Sequence, residues 1–389
     1  MKLTVAFFQA LVALTIASPF DPLEPRQGID TSLVDSAPTP TSVSVPVGPT
    51  ADSTTYNLTE ATESATANPL PVETEPITRR DVYARQTACQ PNPTGAGPVP
   101  TPDTDGAFLS LRAFARIARQ APTPTGYNET FQNLHARVEA YGYLGFNTLS
   151  SYDTQNCASQ CDNIWRGCIG FNIFFERDPS LNPGQGCQNP PSTTNIKCIF
   201  WGGTVSRETA TNDGQYQANF HVVIAGSNGY MKNAIPTVPG YEGEPTGNNT
   251  IDVPPDDMDP GDTTSSSVTT TSTSTDSTTS TDTTSSGRGG TYIGSRIFTN
   301  SYFDPSLCAA ACDAQNRNNL ANPPSQGQPQ ICRFFTTYLI LRNGQPAGQY
   351  CALYTQYYSP QFATNSGTRS GGDTLAVRNA YSYRNLRNL

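Results

Sequence analysis

Asp153-Thr-Gln-Asn-Cys157-Ala-Ser-Gln-Cys161-Asp162 and Asp304-Pro-Ser-Leu-Cys308-Ala-Ala-Ala-Cys312-Asp313 are two versions of one local pattern. In each, an aspartate stands before the first cysteine, and a second cysteine and another aspartate follow at matching distances. Tyr141 precedes Asp153 by the same interval that separates Tyr292 from Asp304. Aspartate is a strong N-cap, and Pro305 suits the first helical turn, where the N–H it lacks would be unpaired anyway. The two stretches therefore predict a short helix each. Cysteines at i and i+4 share one helix face, so both thiols point at whatever that face packs on.

Downstream the copies differ in loop length but keep their order. Cys168-Ile-Gly-Phe-Asn-Ile-Phe-Phe175 has a counterpart in Cys332-Arg-Phe-Phe-Thr-Thr-Tyr-Leu339, and Cys198-Ile-Phe-Trp201 in Cys351-Ala-Leu-Tyr354. Aromatic and β-branched runs of this kind predict strands, with a further one at Phe220–Ala225. Alternation puts Phe171, Ile173 and Phe175 on one face and Asn172, Phe174 and Glu176 on the other. The expected fold is α+β: two small, disulfide-stapled lobes, each an antiparallel sheet cradling a short helix, related as an internal repeat.

A helix and sheet stapled by cysteines in this order resembles the PAN/apple domain family, over about residues 127–230 and 291–384. The run Phe171-Asn-Ile-Phe-Phe-Glu-Arg-Asp-Pro179, with Cys187-Gln-Asn-Pro190 and Ile196-Lys-Cys198, is similar to secreted proteins of filamentous fungi to which no activity is attached. The resemblance implies nested pairing: Cys157 with Cys198, Cys161 with Cys168, Cys308 with Cys351, and Cys312 with Cys332. Cys89 and Cys187 remain. They either pair, tying the preceding segment to the first lobe, or processing exposes one of them. Lobes this small and rich in Asn, Gly and Pro have thin cores, and each bridge adds about 2 to 4 kcal/mol.

Lys2 followed by the uncharged, mostly apolar run Leu3–Ala17 is expected to be a secretory signal peptide cleaved after Ala17, too short to span a bilayer. No later run is long enough to span, and the carboxy terminus lacks the tail of a lipid-anchor signal. The product is expected to be secreted, extracellular or cell-wall associated. Residues 18–104 read as a disordered pro-segment or stalk, with the dibasic Arg79-Arg80 offering cleavage after Arg80. Residues 105–126 carry the amphipathic pattern Phe108, Leu111, Phe114 and Ile117, a short helix and linker. Residues 127–235 form the first module, 236–290 a disordered, mucin-like Ser/Thr-rich linker, and 291–389 the second module. Such a spacer would let both modules engage a repeating target. Asn57, Asn128 and Asn248 lie in Asn-x-Thr sequons and are expected glycosylation acceptors.

A formal net charge of −9 gives no electrostatic footprint for nucleic acid or anionic membranes. Zinc is not expected, since neither CxxC pairs nor histidines accompany the cysteines, and no other cofactor is implied. The cluster Asp256, Asp257, Asp259 and Asp262 lacks the central Gly and distal Glu of a calcium loop. The two histidines, His135 and His221, fall in apparent strands and read as structural. Neither Gly-x-Ser-x-Gly nor His-Glu-x-x-His occurs. Glu176 and Asp178 are an acid–base pair on paper, but with Arg177 they read as a strand-end turn before Pro179. Surfaces are the better candidates: Trp165, Trp201, Tyr354, Tyr357 and Tyr358, with Phe174, Tyr216 and Phe362, suggest aromatic platforms for sugar rings or protein anchors. The sequence points to a non-enzymatic binding protein for an extracellular polysaccharide or glycoprotein. The alternatives are a structural wall glycoprotein and, further off, an unrecognised hydrolase.

Overall fold

The structure, a computed structural model, describes residues 29–40, 45–50, 52–67, 88–253, 291–325 and 327–387. Before the first lobe the described chain forms α1 (Thr31–Ser36), β1 (Asp52–Ser53), α2 (Leu58–Thr66), α3 (Asp105–Leu109) and α4 (Arg112–Gln120). Lobe one comprises β2 (Tyr127–Leu134), β3 (Tyr143–Leu149), α5 (Thr154–Asn163), β4 (Gly170–Pro179), β5 (Ser192–Trp201), β6 (Gly214–Gln217) and β7 (Phe220–Lys232). Lobe two comprises β8 (Tyr241–Gly247), β9 (Tyr292–Phe298), α6 (Pro305–Ala321), β10 (Phe334–Arg342), β11 (Gln345–Tyr354), β12 (Gly367–Ser370) and β13 (Asp373–Asn385). Each lobe is one antiparallel sheet with a helix across it, a mixed α+β layout.

The repeat reaches further than the cysteine pattern shows. In lobe one β3, β5, β4 and β7 lie side by side, with β2 and β6 pairing with opposite ends of β7. In lobe two β9, β11, β10 and β13 follow the same order, with β8 and β12 on β13. Irregularities recur too. A bulge between Ile173 and Phe175 against β7 matches one between Thr337 and Leu339 against β13, and Gly226 (φ 58°) and Asn379 (φ 51°) supply its left-handed residue. Three aromatic rings repeat as a unit: Tyr127, Phe171 and Tyr230 in lobe one, Tyr241, Phe335 and Tyr383 in lobe two. The Tyr127 hydroxyl donates to Asp162 and the Tyr241 hydroxyl to Asp313, each at 2.8 Å, which gives the aspartate after each second cysteine its role.

Asp153 and Asp304 cap α5 and α6 through hydrogen bonds from the backbone N–H groups of Asn156 and Ser306. The disulfides join Cys157 to Cys198, Cys161 to Cys168, Cys308 to Cys351, Cys312 to Cys332, and Cys89 to Cys187. Phe108 and Phe114 are buried in lobe one's helix-side core, where Phe114 stacks on Phe175 at 4.4 Å, so the amphipathic pattern of 105–126 becomes α3 and α4 and belongs to the lobe.

Several expectations are corrected. Tyr292 is the equivalent of Tyr143, not of Tyr141: Tyr143 stands opposite Trp201, and Tyr292 opposite Tyr354, in the same edge-on contact. The matching interval misled because the β9–α6 connection, residues 299–304, is longer than residues 150–153. The extra length carries Tyr302 and Phe303 into lobe one, where Tyr302 enters its core and the Phe303 N–H donates to Gly202 O at 2.8 Å. Gly167 and Gly202 make room, since a Cβ at either would lie 2.4 Å from Tyr302. Tyr141 closes the same junction with Phe303 and Leu339, and its hydroxyl donates to Phe298 O.

The linker expected at 236–290 is not a spacer between modules. Tyr241–Gly247 is a strand of lobe two's sheet, and Ile251 and Val253 are buried beneath that sheet. The Ser/Thr tract lies outside the described residues, but both of its described flanks belong to lobe two, so it is an insertion in that lobe. The segment expected to be disordered over 18–104 contains ordered parts. Cys89–Asp103 runs along lobe one, with the Gly95 N–H donating to Thr193 and the Gly97 N–H to Thr194 O; a Cβ at Gly95 would meet Thr194 O at 2.0 Å. Residues 29–40, 45–50 and 52–66 cover both lobes. Ile29 and Val34 lie on lobe two's outer face, Val45 on lobe one's, and Ala61 and Ala65 of α2 pack with α6. Short polar-rich segments with single apolar anchors carry no periodicity, and the surfaces that order them come from distant residues. Residues 1–17 and Arg80 lie outside the described residues.

Candidate functional site

The β6–β7 hairpin of lobe one carries the most exposed aromatic side chain among the described residues. Tyr216 is 68% exposed and stands directly opposite His221 across the two strands. Their rings stack in parallel, 4.2 Å apart and 3° from coplanar, leaving one face of the phenol ring open. His221 Nδ1 lies 2.7 Å from Asp105 Oδ2, in the first turn of α3, a helix held to the lobe by the buried Phe108, so the ring beneath the tyrosine is anchored. The hydrogen bond from His221 holds the Asp105 carboxyl below its ordinary range. Next to it, Arg177 bonds His221 O and Asp103 and lies 4.2 Å over the Phe220 ring. Burial pushes the Asp103 carboxyl up, but hydrogen bonds from Ser192 and Arg177 outweigh it and leave the pKa lowered. Gln215 and Asn219 are exposed on the same hairpin, and the Asn219 amide donates to Gln188. A flat, exposed ring held in one orientation offers a stacking surface.

Most of the sequence-predicted aromatics lie elsewhere. Trp201, Tyr354 and Phe174 are fully buried and Tyr358 nearly so, packed in the outer-face cores because strands covered on both sides bury both of their faces. Trp165 is half-buried and stacked on Phe200 at 5.0 Å. Phe362 is half-buried against Tyr358. Tyr357 is 37% exposed, edge-on to Phe334, with Arg384 over its ring and Glu244 accepting from its hydroxyl. These residues do not form one platform. At the position of the Tyr216–His221 pair, lobe two has Arg369 opposite Thr374, so the stacking surface is confined to lobe one.

His221 is in a strand as expected, whereas His135 is exposed in the bend after β2. Asn57, Asn128 and Asn248 are all exposed. Asn57 caps α2 by accepting from the Glu60 N–H.

Glu176, Arg177 and Asp178 do not form a turn; they continue β4 to Pro179, fully paired with β5. Glu176 and Asp178 face away from the helix, with Asn195 and Lys197 of β5 beside them, all nearly fully buried. Lys197 pairs with Glu176 and lies 4.5 Å from the centre of the Phe146 ring. Asp178 accepts from Asn195 at 2.6 Å. Burial, reinforced by the neighbouring Glu176, holds the Asp178 carboxyl well above its ordinary range, so it is protonated under conditions where a surface aspartate is charged. Periodicity had put Glu176 on this face; what it did not show is that residues 45–48 cover the face.

Among the described residues, no cluster of three or more His, Cys, Asp or Glu side chains is placed to hold a metal ion, and no helix is long and apolar enough to cross a membrane. Compared with known proteins, the chain matches no family model, no curated protein and no solved structure.

Proposed function

We propose that this is a secreted, glycosylated binding protein built from two apple-like modules, which recognises carbohydrate, free or on a glycoprotein, at a cell wall or in the surrounding matrix, without catalysis. Five disulfides fit an oxidising compartment. The observation that carries the carbohydrate reading is Tyr216: an exposed ring held flat by a stacked, anchored histidine, so that little side-chain entropy remains to be lost on binding. Only lobe one has this surface, so the modules do not contribute equivalent sites.

The test is retention of the full chain on insoluble chitin, β-glucan and whole fungal walls. Retention on one of them, weakened roughly tenfold by Tyr216→Ala with unchanged thermal stability, is the expected result. Retention that Tyr216→Ala leaves unchanged excludes the platform. No retention on any of them favours a structural role. Replacing Trp201 or Tyr354 would report core packing instead, since both are buried.

A further inference from the structure

The outer face of lobe one carries charge where a permanent core would be apolar. Arg137, Glu176 and Lys197 are each at most 1% exposed, and much of what satisfies them is backbone from Val45–Gly48. Arg137 donates to Val45 O at 3.2 Å and Lys197 to Pro46 O at 3.1 Å, while the Gly48 N–H donates to Glu176 at 3.3 Å. Val45 is the segment's one fully buried side chain. Pro46 and Pro49 lack backbone donors and favour an extended chain, so the segment presents mainly carbonyl oxygens, the groups that guanidinium and ammonium ions need. The same face of lobe two is apolar at the two equivalent buried positions, with Ile340 where lobe one has Glu176 and Tyr350 where it has Lys197; its charge, Arg342, is partly exposed, donates to Val34 O and pairs with Asp35. A buried ion pair rarely stabilises more than apolar residues of similar size would, so this fold does not need these charges for stability.

We propose that the outer face of lobe one is a binding groove for an extended, proline-containing peptide, and that Val45–Gly48 occupies it as an intramolecular ligand that a peptide of the same chemistry can replace. Arg137 and Lys197 read the peptide's carbonyls, Glu176 takes the N–H that Gly48 supplies, and the pocket around Val45 takes an aliphatic side chain. This site is separate from the Tyr216 surface and does not depend on the carbohydrate reading.

Lysine labelling of the full chain tests it. After the amino-terminal run the chain has two lysines, Lys197 beneath the cover and the partly exposed Lys232, which serves as an internal reference. An amine-reactive reagent is applied while hydrogen exchange follows the β4 amides. In Val45→Asp, or in the milder Val45→Ser, Lys197 is expected to label at least tenfold faster relative to Lys232 while the β4 amides stay protected. Excess synthetic peptide of residues 45–50 then slows that labelling again. The proposal is overturned if Lys197 becomes reactive only as β4 protection is lost in both variants, because the cover is then inseparable from the core. It is also overturned if the peptide leaves Lys197 labelling unchanged.

Discussion

The two lobes share a strand order, a bulge and a trio of aromatic rings, and differ most on the face turned away from the helix. Lobe two meets its cover mainly with Tyr338, Ile340 and Tyr350, against Ile29 and Val34, and with charge only at its margin, where Arg342 donates to Val34 O and pairs with Asp35. Lobe one meets its cover with Glu176, Lys197 and Arg137, against the backbone of Val45–Gly48. The comparison teaches that the topology does not dictate the chemistry of this face. What must match is the sheet and the segment that lies on it.

The largest effect expected from this contrast comes from breaking the charge pair. Lys197→Met leaves Glu176 buried and unpaired and should cost about 3 to 5 kcal/mol; Ile340→Glu, placing a lone carboxylate on lobe two, should cost as much. Glu176→Leu combined with Lys197→Met, which makes lobe one resemble lobe two, should fall within about 1 kcal/mol of the parent or stabilise it. Denaturant unfolding of the three variants measures this. A double variant as damaged as the single one would show that lobe one needs its charges.

Asp178 sharpens the contrast through pH. Its folded-state pKa is raised by burial and by Glu176, so its contribution to stability is complete below the unfolded value near 3.8 and is lost as pH rises toward the folded value. Over that window the parent should lose stability relative to Asp178→Asn at up to about 1.4 kcal/mol per pH unit. Parallel stability curves from pH 4 to 7 would contradict the raised pKa. A smaller difference is expected between the short staples. Cys312–Cys332 closes a 20-residue separation and Cys161–Cys168 one of 7, so removing the former should cost about 1 kcal/mol more, measured by unfolding of each double-alanine variant.

How far the sequence could be read depended on whether a signal was local. The caps Asp153 and Asp304, the helices they start and the strands after Cys168 and Cys332 rest on residues within a few positions of one another, and they were legible. β8 was not: Tyr241-Glu-Gly-Glu-Pro-Thr-Gly247 has the composition of a loop, and its Pro245 is tolerated because the strand lies at a sheet edge. One signal was present and missed. From Cys198 and Cys351 onward the copies keep a constant offset that aligns Asn212-Asp-Gly214 with Asn365-Ser-Gly367 and Tyr230 with Tyr383. In both, the asparagine side chain accepts from the glycine N–H at 3.0 Å. At the candidate site, the exposure of Tyr216 and the burial of Trp201 and Tyr354 depend on which faces are covered, and the covering residues, among them Ile29, Val34 and Val45, are remote in sequence.

The central claim, two copies of one module with the Ser/Thr tract inserted into the second, is tested most directly by cutting the tract. A protease site placed between Thr263 and Ser286 leaves no disulfide joining the two fragments, because each of the five bridges lies wholly on one side of it. The account predicts that the cut protein elutes as a single particle under native conditions, with the amides of Tyr241–Gly247 still protected against β13. Separation into two folded halves would contradict it, and would make the tract the spacer that the sequence had suggested.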